Sequence, residues 1–255
     1  MADYDSALVE NQKALDINLK IFGSDHLETA ASHNSLGDVF HAKGDDGSAT
    51  REFLKALQIR WRTHGVGQPH PDTANSHNSI GNMLLSKGWF LPALKDHHEA
   101  LEMNLEVFGS DHPDTATSHD NYGNALYGMQ NFEDAIVEGI KALNIRLKIL
   151  GPDHPDTATS HNSIGALYRV MGDNDSALIE HKKAFHIHMN TLGQEHPSTA
   201  TSHDNIGMVL RAKGDYDSGL IEHQKALEIR LKIHGPDHRL TSFTQNQIDA
   251  CLNKE

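Results

Sequence analysis

The octapeptide HPDTATSH occupies residues 112–119 and recurs unchanged at 154–161. Near copies stand at 26–33 (HLETAASH), 70–77 (HPDTANSH) and 196–203 (HPSTATSH). Each copy has a histidine at both ends, and the 255-residue chain holds 20 histidines. Imidazole binds transition ions and exchanges protons near neutral pH, so metal ligation and proton switching are the first chemistries to weigh. Spacing argues against ligation by the octapeptide. Two residues seven apart on a helix share a face but lie about 10 Å apart along its axis. A shared zinc ion needs both nitrogens about 2 Å away, and helical chelates use i, i+4 pairs. No convincing carboxylate or thiol completes a set, so no metal and no cofactor are expected.

Other catalytic signatures are missing as well. The chain has no Gly-rich phosphate loop, no nucleophile elbow and no H-E-x-x-H helix; HHEAL at His97 is only superficially similar to a zinc motif. The single cysteine, Cys251, excludes an internal disulfide and suits a reducing compartment. No catalytic residue is expected.

What positions the histidines is a repeat. The threonine three residues after the first histidine falls at 29, 73, 115, 157, 199 and 241, at intervals of 44 and then 42 four times. The longer interval comes from two extra residues in THGVGQPH. A fixed period of this size marks a stacked-repeat architecture. It divides a single array into residues 1–25 (second helix of a truncated repeat), full repeats 26–69, 70–111, 112–153, 154–195 and 196–237, and a terminal capping helix at 238–255. Each period predicts two antiparallel helices. The octapeptide opens the first, with histidine at or beside the N-cap and Pro and Asp in the first turn. Gly44, Gly88, Gly172 and Gly214 stop it. Asp45, Asp173 and Asp215 cap the second, which ends before Gly65, Gly109, Gly151, Gly193 and Gly235. In one repeat Ala158, Ile164, Gly165 and Tyr168 form an apolar stripe that faces another of Ala177, His181, Ala184 and Phe185. Residues 3–22 are expected to show an uncovered stripe of Ala7, Leu8, Ala14 and Leu15.

Gly165, Tyr168, Ala177 and Ala184 have the small–aromatic–small spacing of the tetratricopeptide repeat. The 42-residue period resembles the longer variant of kinesin light chains and nephrocystin-type proteins. The resemblance implies an all-α, right-handed superhelical solenoid of antiparallel helix pairs, with a concave groove for peptides. His33, His77, His119, His161 and His203 stand where the family usually has a large apolar residue facing the partner helix. Counting from the turn sets His77 against His97, His161 against His181, and His203 against His223. Each pair is expected to share one N–H···N bond or, alternatively, to act as a pH-sensitive switch, because two buried imidazoles resist joint protonation.

The opposite face of the first helices is expected to line the groove. It carries Asn34 and Asp38, then Asn78 and Asn82, then Asn121, Asn124 and Tyr127, with Asn162 and Arg169, and Asn205 and Arg211, in the last two full repeats. An asparagine amide both donates and accepts, which suits gripping a peptide backbone, and the resemblance implies that role for Asn34, Asn78 and Asn162. Tyr127, Arg169 and Arg211 would then select side chains. Asp120 and Asp204 depart from the asparagine pattern.

Composition narrows the partner. A net charge of −13 argues against nucleic acid, which needs a basic footprint. No apolar run is long enough to insert in a membrane, and the start MADYDSALVE is unlike a signal peptide, so a cytoplasmic location is expected. The expected partner is a protein or peptide. Self-association through the N-terminal helix is the alternative, and a histidine-based pH or metal sensor a lesser one.

Overall fold

The computed structural model describes residues 4–254. Met1–Asp3 and Glu255, the outer edges of the first and last expected units, lie outside them. The described residues form twelve helices and no strand, in keeping with an all-α chain. They gather into two compact units that divide between Asn131 and Phe132. The first contains α1 (Tyr4–Phe22), α2 (Leu27–Lys43), α3 (Asp46–His64), α4 (Pro71–Ser86), α5 (Phe90–Phe108) and α6 (Pro113–Gly128). The second contains α7 (Phe132–Ile149), α8 (Pro155–Val170), α9 (Asn174–Leu192), α10 (Pro197–Ala212), α11 (Tyr216–His234) and α12 (Arg239–Asn253). The division falls between the two helices of the expected 112–153 repeat.

The first histidine of each octapeptide is an N-cap. His26, His70, His112, His154, His196 and His238 have extended backbones, and each Nδ1 accepts from the N–H two residues on, at 3.1–3.2 Å. Proline at the first helical position costs nothing there, since its missing N–H would have no helical acceptor. The threonine of the motif ties the helix start to the preceding loop: Thr29 donates to the Gly23 carbonyl at 2.7 Å, and Thr115, Thr157, Thr199 and Thr241 repeat this at 2.8–2.9 Å. Thr73 is the exception. Its buried hydroxyl meets no partner, because the longer connection before α4 leaves no carbonyl in reach.

Asp45, Asp173 and Asp215 cap the odd-numbered helices that follow them, each accepting a backbone N–H at 3.1 Å. Trp89 stands at that place before α5 and gives no side-chain cap. Alanines let each pair close up: Ala30 meets Ala56 and Ile59, Ala74 meets Ala100 and Met103, Ala158 meets Ala184 and Ile187, and Ala200 meets Ala226 and Ile229. Within each unit every helix packs on the next, and neighbouring even-numbered helices also touch one another. The even helices therefore form the tighter side of each unit.

The expected stripe on α1 is partly covered. Leu15 is buried and Ala7 and Leu8 are half-buried, since α1 packs on α2, while Ala14 is exposed. The outward apolar residues include Val9, Ile17, Ile21 and Phe22.

Candidate peptide-binding surface

The helix pairs bring the histidines and the asparagines together in a register one residue from that expected. His77 Nδ1–H donates to Asp96 at 2.8 Å, and His33, His161 and His203 donate to Glu52, Glu180 and Glu222 at 2.6 Å. His97 and His181 donate instead to the Oδ1 atoms of Asn78 and Asn162, at 3.1 and 3.0 Å, and His223 to Asp204 at 2.8 Å. The expected pairs His77 with His97, His161 with His181 and His203 with His223 are thus not bonded to each other. Each imidazole finds an acceptor on the facing helix 19 residues away, whereas counting from the turn gave 20. The difference arises because His97, His181 and His223 lie over Gly81, Gly165 and Gly207, where a Cβ would come within 3.0 Å of the ring. That close approach turns Nδ1 toward the residue after the octapeptide. In the first full repeat Phe53 lies on Gly37 in the same way.

Burial fixes the charge states. It is the main cause that lowers His97 and His181 to about 4, so both rings are neutral at pH 7. Burial opposes ionisation of Glu180 and Glu222, but bonds from His161 and Lys183, and from His203 and Lys225, outweigh it. Both carboxyls lie below their ordinary value, Glu222 at about 2.

The sequence-predicted groove residues fall into two groups. Asn82, Asn124, Asp38 and Tyr127 are exposed on the even helices, Tyr127 by 46%. Asn34, Asn78, Asn121, Asn162, Asn205, Arg169 and Arg211 are half-buried. Asn34 donates to Ser79 on the next even helix at 3.0 Å and receives Arg60 at 3.3 Å. Asn205 donates to Asn162 at 3.3 Å. These bonds join α2 to α4 and α8 to α10 into continuous polar faces within each unit. Between α8 and α10 the face dips into an open depression lined by Thr159, Asn162, Ser163, Ala166 and Thr201.

Asp204 is not on this face. It is 1% exposed and held by His223, by Arg230 at 2.5 Å and by Thr244 at 2.9 Å. Arg230 belongs to a ladder that sequence reasoning missed. Asn18, Asn104, Arg146, His188 and Arg230 each bond a hydroxyl 14 residues on, at Ser32, Ser118, Ser160, Ser202 and Thr244, and Arg60 bonds Ser76, 16 residues on across the longer connection. The signal was present as one polar residue per period on an otherwise apolar stripe.

The tetratricopeptide repeat family profile matches residues 1–60, 72–137, 120–190, 156–219 and 198–251. No curated protein matches the sequence. Among solved structures the chain is similar to BtubC (BKLC) from P. vanneervenii, with a TM-score of 0.79 and 21% identity over 94% of this chain and 96% of that one. It is similar to a Podosopora anserina putative kinesin light chain with nearly identical TPR-like repeats, at TM-score 0.71 and 19% identity over 82% and 98%. The apo form of RapI follows at 0.66 and 15%, over 99% and 91%. At these identities the likeness bears on fold, and it agrees with the helix-pair packing seen in each unit. With profile matches covering nearly its whole length, the chain belongs to the tetratricopeptide repeat family.

Proposed function

We propose that the chain is a non-catalytic protein-interaction scaffold whose even-numbered helices hold an extended or partly helical peptide. The observation that carries this reading is the pair of polar faces joined by Asn34–Ser79 and Asn205–Asn162. The carbonyls of Asn78 and Asn162 are committed to His97 and His181. Their Nδ2 amides are then the donors offered to a ligand carbonyl, held in orientation before the ligand arrives. Asn82 and Asn124 add exposed amides, and Tyr127, Arg169 and Arg211 give side-chain selectivity along the outer edge. Asn205 adds a further amide, and Asp38 disfavours acidic ligand groups nearby. The expected setting is the cytoplasm.

The test is selection from a random-peptide display library with the parent and an Asn82→Ala/Asn124→Ala variant. Both side chains are exposed, so the variant keeps the fold. Peptides enriched by the parent and lost by the variant support the reading. Equal enrichment by both removes these asparagines from the site.

A second reading is self-association through α1. Ile17 is 55% exposed, whereas Ile187 and Ile229, at the same place in later repeats, are each 7% exposed. Light scattering across a concentration series checks this, and a constant monomer mass rejects it.

A further inference from the structure

The connection between α3 and α4 carries the two extra residues that break the period, and around it three ligand-bearing side chains converge. His64 ends α3, His70 caps α4 and Asp72 sits in its first turn. The two imidazoles stack with centroids 3.5 Å apart. His64 Nε2 lies 3.9 Å and His70 Nδ1 3.7 Å from Asp72 Oδ2, and the three potential ligand atoms all fall within 4.8 Å of one another. It is the one such group among the described residues.

We propose that His64, His70 and Asp72 bind a divalent transition ion of the zinc type. Two imidazoles and a carboxylate form a borderline donor set that favours such ions over magnesium or calcium. Around a tetrahedral ion with bonds near 2 Å the ligand atoms lie about 3.4 Å apart, so the two spacings to Asp72 need to contract by about half an ångström or less, and the His64–His70 spacing, within 4.8 Å, must close to the same distance. A second, independent feature points the same way: the buried Nε2 of His64 meets no hydrogen-bond partner, although a nitrogen in that position ordinarily has one. His70 and Asp72 are 34% and 42% exposed at their side chains, which leaves a route for the ion and room for water at the remaining positions.

The array supplies its own controls. The place of His64 is taken by Phe22, Phe108, Leu150, Leu192 and His234 in the other repeats, and that of Asp72 by Glu28, Asp114, Asp156, Ser198 and Leu240. Only the repeat with the longer connection combines both histidines with the carboxylate. His234 and His238 stack in the same manner, at 4.3 Å, but lack the acid.

Two features oppose the ion and set its affinity. Binding through His70 Nδ1 gives up the cap bond from the Asp72 N–H, and the rings must splay from their stack. The Arg60 guanidinium attracts Asp72 and repels a cation, although it is anchored on Ser76 and Asn34. The ion would staple the end of α3 to the start of α4 across Gly65 and Gly67, both at positive φ.

The experiment is calorimetric titration of the untagged full-length protein with zinc chloride at pH 7.5. The proposal expects one tight equivalent per chain. His64→Leu, which installs the residue found at this place in two other repeats, should abolish it with the fold intact. Asp72→Asn should weaken it about tenfold or more. Leu240→Asp should create a second equivalent beside His234 and His238. The proposal is overturned if the parent shows no binding tighter than about millimolar, or if His64→Leu binds with unchanged stoichiometry and affinity, which would place zinc on other histidines. Circular dichroism of each variant shows whether a loss reflects unfolding, and an unfolded His64→Leu is replaced by His64→Phe, which mimics Phe22 and Phe108.

Discussion

Acidification to pH 5 should destabilise the first unit through one residue, His97. Its ring is fully buried over Gly81, and burial lowers it from 6.5 in the unfolded chain to about 4 in the fold. The nearby Asp96 pulls the other way and loses to burial. A base whose folded value is depressed binds its proton more readily when unfolded. Stability from the neutral ring is therefore complete above about pH 6.5 and is lost as pH falls toward 4. At pH 6 the loss is about 1 kcal/mol and at pH 5 about 2 kcal/mol. Carboxylate linkage sits lower: Glu52 is also depressed, and its contribution fades below about pH 4.5. The assay is urea unfolding followed by tryptophan fluorescence, which reports the first unit because Trp61 and Trp89, the only two tryptophans, both lie there. Parent protein is compared with His97→Phe, a substitution the architecture accepts, since Phe53 lies over Gly37 in the same arrangement. The parent should lose about 2 kcal/mol more than the variant between pH 7.5 and pH 5. Equal losses would refute the assignment of that sensitivity to the buried ring.

Two further outcomes test the packing. Arg230→Met should cost about 3–5 kcal/mol in the second unit, because it leaves Asp204 buried and charged; adding Asp204→Asn should restore much of this in a denaturation series. Gly207→Ala should cost about 1–3 kcal/mol by overpacking, since its Cβ would meet the His223 ring at 2.7 Å, and thermal melts of Gly207→Ala in a His223→Ala background should show the penalty relieved.

Much of this molecule was legible without coordinates because its signals are local. An N-cap depends on the histidine, the proline and the two residues that follow, so every copy of the octapeptide announced a helix start that the backbone geometry reproduces. The small–aromatic–small spacing likewise reports contacts between helices joined by a short turn. Of the polar positions that recur along the even helices, Asn82, Asn124 and Tyr127 are exposed, while Asn34, Asn78, Asn121, Asn162 and Asn205 are half-buried.

The pairing of polar side chains was decided elsewhere. Whether His181 meets His161 or Asn162 is a matter of one residue in the register between two helices, and the depth of Gly165 beneath the ring sets that register. Asp204 departs in sequence from its asparagine counterparts, but only the structure shows it drawn inward by Arg230 and Thr244, which come from two other helices. His64, His70 and Asp72 belong to two helices and an irregular connection, so no helical spacing rule could bring them together. Periodicity determined the repeat, the helix pairs and their faces, because those follow from contacts between near neighbours in the chain. Only the tertiary structure decided which buried polar atoms satisfy one another, because that choice turns on shifts of about an ångström between helices that no local pattern encodes.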